Sequence, residues 1–179
     1  MVKPIIVDLD WRSYTFIVDL AVDLRVRGLC SKPYPGHRKG CPKFNSGLNN
    51  CPPNAPNVFD VYDLRSDFFV VMNEFNIEQH MQKLSISHPK WSERQLRCCL
   101  YWQAAARKQL YQKVHHVLAQ RGFEGFTSTM CPEAMGIDVN ETMKRIGIIL
   151  EWPPIKLARQ IALLGRPIVS ERGSGVGPS

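Results

Sequence analysis

No stretch of this 179-residue chain approaches the roughly 20 consecutive apolar residues of a membrane-spanning helix, so no membrane partner is expected. The opening segment, Met1 to Asp10, carries two acids and lacks both a basic start and a small-residue cleavage site. It does not read as a secretory signal, and a cytoplasmic protein is expected. The glycine pattern of a phosphate-binding loop is missing throughout, and no internal repeat is present. No two of the six cysteines are separated by the two to four residues of a zinc knuckle.

Acid is also missing, locally. Residues 24–59 hold Arg25, Arg27, Lys32, Arg38, Lys39 and Lys43 and no Asp or Glu, while residues 90–121 hold seven Lys or Arg against Glu93 alone. The net charge of +7 therefore belongs to two segments. Together they make a plausible phosphate footprint, so nucleic acid is a candidate partner through 24–59 and 90–121. The plainer reading of the basic helix surface is solubility.

Residues 3–9, 14–26, 58–63 and 67–73 are rich in β-branched and aromatic residues and are expected as strands. Helices are expected over Ile77–Leu84, from Ser92 to a stop at Gly122, and from Asp138 or Asn140 through Ile146. The long helix carries a stripe of Leu96, Cys99, Gln103, Ala106, Leu110, Val114 and Val117. Ile148–Trp152 reads as a strand, and residues 155–164 fit strand or helix equally. The expected fold is α+β: a small mixed sheet, one long and two shorter helices, and a long irregular Cys/Pro-rich loop. It forms one domain over 1–169, followed by a disordered tail over 170–179.

What is plentiful lies in that loop. Residues 31–57 hold six of the thirteen prolines together with Gly36, Gly40 and Gly47, which excludes a helix or long strand. A loop of this length needs something other than a core to order it, and cysteines flank and interrupt it. Cys30, Cys41 and Cys51 are separated by ten and nine residues, and Cys41-Pro42, Cys51-Pro52-Pro53 and Cys131-Pro132 repeat one pairing. In a chain without an export signal, clustered thiols point to metal binding or thiol chemistry before disulfides. Long gaps suit an iron–sulfur cluster of the [4Fe-4S] kind, whose thiolates come from separate turns. The six nearby cations are expected to lower the thiolate pKa values and offset the cluster's charge.

Three ligands are thus expected at Cys30, Cys41 and Cys51, and Cys131 is the favoured fourth, in a turn before Pro132. Cys99, Cys98 and His37 remain candidates. With three protein ligands an open iron site would be left for catalysis; with four the centre would be a redox carrier. The alternative is zinc, with His37 as a possible ligand, in a zinc-stabilised nucleic-acid-binding protein.

The Cys-…-Cys-Pro-…-Cys-Pro-Pro loop, followed by Pro132-Glu-Ala-Met-Gly-Ile-Asp-Val-Asn-Glu-Thr-Met-Lys-Arg-Ile-Gly147, resembles an uncharacterised prokaryotic family of predicted metal-binding proteins. The two blocks cover a little under a quarter of the chain. The family's closely spaced cysteines in its second half are replaced here by Cys98-Cys99 and Cys131. The resemblance implies metal or iron–sulfur binding and no particular reaction.

Other residues read more blandly. Asp8 and Asp10 share one strand face, as phosphotransferase aspartates do, but a solvated face explains them as well. His115-His116 lies near a helix end, where the dipole favours histidine. Tyr34, Phe44 and Trp91 could stack on bases or pack over the loop.

Overall fold

The computed structural model describes residues 10–33 and 38–168. The strand expected over 3–9, Asp8, Tyr34, His37 and the tail from residue 170 lie outside them.

Four strands form one sheet in the order β1-β2-β4-β3: β1 (Thr15–Val18), β2 (Phe68–Asn76), β3 (Thr127–Thr129) and β4 (Leu157–Gly165). Every pairing is antiparallel, so the α+β class is as expected but the sheet is not mixed. The helices are α1 (Val58–Val61), α2 (Ile77–Ser87), α3 (Glu93–Leu96), α4 (Cys99–Leu118) and α5 (Val139–Arg145), with 3-10 turns at Trp11–Ser13, Leu24–Ser31 and Pro132–Met135. Among the described residues no helix is long and apolar enough to cross a membrane.

The two central strands are buried on both faces. Successive strand residues point to opposite sides, so Val70, Ile161 and Leu163 pack with Val58, Met135, Ile137, Val139 and Met143. Val71, Ala162 and Leu164 pack on the other side with Leu110, Val114 and Val117 of α4. This double burial explains the unbroken apolar runs of β2 and β4 and resolves 155–164 as strand. Each fully buried aliphatic side chain contributes about 1.5–3 kcal/mol by leaving water. Asn73 of β2 is 1% exposed, and its amide donates to the Ala106 carbonyl at 3.1 Å and to Gln109 Oε1 at 3.2 Å. That satisfies a polar group which burial alone would penalise.

Several expected elements differ, each for a local reason. Residues 58–63 begin as α1, because the Asp60 carboxylate accepts the Asn57 N–H at 3.3 Å and starts a helical turn. The run over 14–26 ends as a strand at Val18 and continues into the Leu24–Ser31 turn, which Asp23 caps by accepting from the Arg25 N–H at 2.9 Å. Ile148–Trp152 pairs with no strand. The Ile148 N–H is taken by the Met143 carbonyl at 3.0 Å, and the Ile149 carbonyl by Arg159 at 2.9 Å. The helix expected from Ser92 does start there, with Gln95 Oε1 accepting the Ser92 N–H at 2.9 Å. It breaks at Cys98, whose φ of −59° and ψ of 123° are not helical. Trp102 Nε1 holds the freed Arg97 carbonyl at 3.2 Å. Trp102, rather than Cys99 or Gln103, is the buried residue of this first turn, its ring stacked on Phe75.

Candidate metal centre

Cys30 ends the Leu24–Ser31 turn, and the chain returns to it at Cys41. The Cys41 N–H donates to the Cys30 carbonyl at 2.8 Å. That approach requires glycine before it: Gly40 has φ +80°, and a Cβ there would stand 2.7 Å from the Cys30 carbonyl oxygen. A left-handed φ and an overcrowded Cβ together exclude other residues at low cost.

Cys51 sits in a second turn, donating its N–H to the Leu48 carbonyl at 3.2 Å and accepting from the Ala55 N–H at 2.9 Å. The Asn45 N–H reaches across to the Pro52 carbonyl at 3.0 Å. Arg27, on the turn that carries Cys30, clamps this stretch. Its guanidinium donates to the Ala55 carbonyl at 2.6 Å, to the Pro53 carbonyl at 3.2 Å and to the Asn57 side chain. One arginine thus ties the Cys51 turn to the Cys30 turn.

Cys131 caps the Pro132–Met135 turn, and its carbonyl accepts from the Ala134 N–H at 3.0 Å. This turn lies against the Cys30 turn. The Asp23 N–H donates to the Gly136 carbonyl at 2.8 Å, and the Asp138 N–H to the Ala21 carbonyl at 2.8 Å. At Gly136, φ is +89°, a left-handed backbone that again favours glycine where the two turns meet.

Hydrogen bonds thus tie the turns that carry Cys41, Cys51 and Cys131 to the turn that carries Cys30. The Cys30 thiol is pushed up first by burial, then by Cys41, Glu133, Cys51 and Cys131. Cys131 is likewise raised, first by burial, with Arg107 of α4 opposing and Glu133, Cys51 and Cys41 adding to the rise. The six cations of residues 24–59 do not act on these two thiols as expected. Arg25 is paired with Asp23 at 2.8 Å, and Arg27 is turned to carbonyls. The one cation beside Cys131 is Arg107, from the other basic segment. Glu133, exposed at the surface and immediately beyond Pro132, is an acidic neighbour that the sequence reading left out.

Cys98 and Cys99 belong elsewhere. Cys99 packs on the cluster of Phe75, Ile77, Trp102 and Ala106, and its thiol is raised by burial and then by Cys98. His115 and His116 lie in the last turn of α4. All six cysteines are free thiols. Among the described residues, no three His, Cys, Asp or Glu side chains converge closely enough to hold a single metal ion.

Beside the cysteine turns lies an open cleft of about 360 Å³, lined in part by Asn49, Asn50, Tyr62, Thr127 and Thr129. Among the described residues, no charged side chain lines it. It runs between the residues preceding Cys51 and the edge strand preceding Cys131.

Compared with known protein families, curated proteins and solved structures, the chain matches none.

Proposed function

We propose that Cys30, Cys41, Cys51 and Cys131 bind an iron–sulfur cluster of the [4Fe-4S] kind, and that the protein works in the cytoplasm as a redox carrier. The observation that supports this most is that hydrogen bonds tie the turns carrying Cys41, Cys51 and Cys131 to the turn carrying Cys30, and that these three cysteines all raise the Cys30 thiol. A single zinc ion draws its ligands to one point, with each sulfur about 2.3 Å from the metal. A four-iron cluster spreads its thiolates over separate iron atoms, which suits four cysteines carried by four turns. Deprotonating the Cys30 and Cys131 thiols, which burial and then neighbouring groups oppose, calls for a strongly cationic metal core.

The role follows from the ligand count. Four thiolates saturate the cluster and leave electron transfer as its chemistry. Were Cys131 not a ligand, one iron would stay open beside the neutral cleft, and substrate activation would replace electron transfer.

Anaerobic purification followed by metal and sulfide analysis tests the reading. About four iron and four sulfide per chain, with a visible thiolate-to-iron absorption, are expected. Cys51→Ser should lose most of the colour, whereas Cys98→Ser should keep it. A colourless protein with one zinc per chain would remove the cluster reading in favour of zinc. A variant pair with equal iron content would remove Cys51 from the ligand set.

A further inference from the structure

One face of α4, carrying Tyr101, Lys108, Tyr111 and His115, is exposed. Residues 99–118 contain no Asp or Glu. Tyr101, Lys108 and His115 follow one another at intervals of seven, and Tyr111 falls between the last two. Seven residues make nearly two whole turns, so these side chains share one face over about 21 Å. All four are exposed, Tyr101 by 49% and Tyr111 by 56%. The Tyr111 and His115 rings lie 4.3 Å apart.

At the N-terminal end of this face the aromatic surface extends beyond the helix. Trp91 stacks on His88 at 3.9 Å with planes 8° apart, and stands 4.8 Å from the Tyr101 ring. Lys90 and Arg94 flank it in the chain. Glu93 is the sole acid between residues 83 and 121, and Arg97 holds its carboxylate at 2.8 Å. The surface therefore interleaves aromatic rings in contact with one another with cations, and its one negative charge is already paired.

We infer that this face binds single-stranded nucleic acid, with bases stacking on the Trp91–Tyr101 and Tyr111–His115 rings and phosphates meeting Lys90, Arg94 and Lys108. Exposed rings suit any base, because every base offers a π-face, and the acid-free helix suits a polyanion. A duplex hides its base faces and would gain only the charge contribution. The inference stands apart from the cysteine reading, since neither its residues nor its readout involve the metal.

The test is fluorescence anisotropy of the full-length protein with labelled 15-residue oligo(dT) and oligo(U), and with a duplex of equal length. Saturable micromolar binding of at least one single strand is expected at low salt. The duplex should bind more weakly. The double variant Tyr101→Ala, Tyr111→Ala keeps good helix formers on an exposed face and should still fold, as far-UV circular dichroism will show. It should weaken single-strand binding about 10-fold. Lys108→Glu should lower the slope of log affinity against log salt by about one phosphate contact. Absence of binding at low salt, equal affinity for duplex, or unchanged affinity in the double tyrosine variant would each overturn the proposal. A surface that captures protein but no oligonucleotide would do so as well.

Discussion

Along β2 and β4, Val70, Val71, Ala162, Leu163 and Leu164 are all at most 2% exposed, and their neighbours are side chains from helices on both faces. Between residues 38 and 57, by contrast, only Gly40, Pro52 and Ala55 are buried. That segment is held by main-chain turns and by one guanidinium. The sheet draws its stability from area removed from water. The cysteine turns draw theirs from hydrogen bonds whose net worth is smaller, because water competes for the same groups. A region ordered in the second way can carry closely spaced thiols and prolines that would spoil a packed core. It also opens more easily than the sheet it sits on.

The comparison breaks hardest in the sheet. Leu163, 1% exposed in β4, pairs with Val70 and packs on the α5 side of the sheet. Leu163→Ala should destabilise the whole protein by about 3 kcal/mol through lost transfer energy and the cavity left behind. Urea denaturation followed by tryptophan fluorescence should show one shifted, cooperative transition. A shift below about 1 kcal/mol would mean that this core position collapses around the smaller side chain.

Arg27→Ala breaks the other side of the comparison, and more gently. It removes three donor contacts to residues 53, 55 and 57, each a charge-assisted bond in a half-exposed setting. A loss of about 1–3 kcal/mol is expected, confined to the cysteine turns. Hydrogen exchange should quicken at the amides of Cys41, Asn45 and Ala55 while those of β2 and β4 keep their protection. Uniform acceleration across both regions would show that the turns and the sheet unfold as one unit.

The same contrast decides what can be read from the chain. Apolar periodicity reports burial, so β2, α4 and the double-sided burial behind β4 leave a trace in sequence. So do the Cys-Pro pairs, because tight turns need specific residue types. β3 left none: Thr127–Thr129 is short, polar and half open, and is a strand only because β4 lies beside it. α1 was misread because Val58-Phe59-Asp60-Val61 has β-rich composition, while its start is set by a single carboxylate at Asp60. The clamp by Arg27 is invisible for a different reason. Its acceptors are mainly backbone carbonyls about thirty residues away, and any residue supplies a carbonyl. The loop accordingly carries backbone hydrogen bonds that its composition does not announce, among them those donated by Cys41, Asn45 and Ala55.

The smallest expected effect lies at the edge of the sheet half, in His80 of α2. Its ring faces Phe75 at 5.5 Å, and its Nε2 is buried with no hydrogen-bond partner. Burial, and secondarily the charge of Lys83, hold its pKa below the usual imidazole value. The unfolded chain therefore binds this proton more readily than the folded one, and stability falls as pH drops from about 6.5 through the lower folded value. Above that window the residue is neutral in both states and contributes no pH dependence. His80→Leu removes the titration, so the gap between urea midpoints at pH 8 and pH 5 should be narrower in the variant than in the wild type. The change should be smaller than either effect above, because the ring is partly exposed and solvent screens part of its charge. Equal gaps in the two proteins would mean that α2 opens enough at low pH to hydrate the imidazolium, which would move this helix from the side-chain-packed region to the more easily opened one.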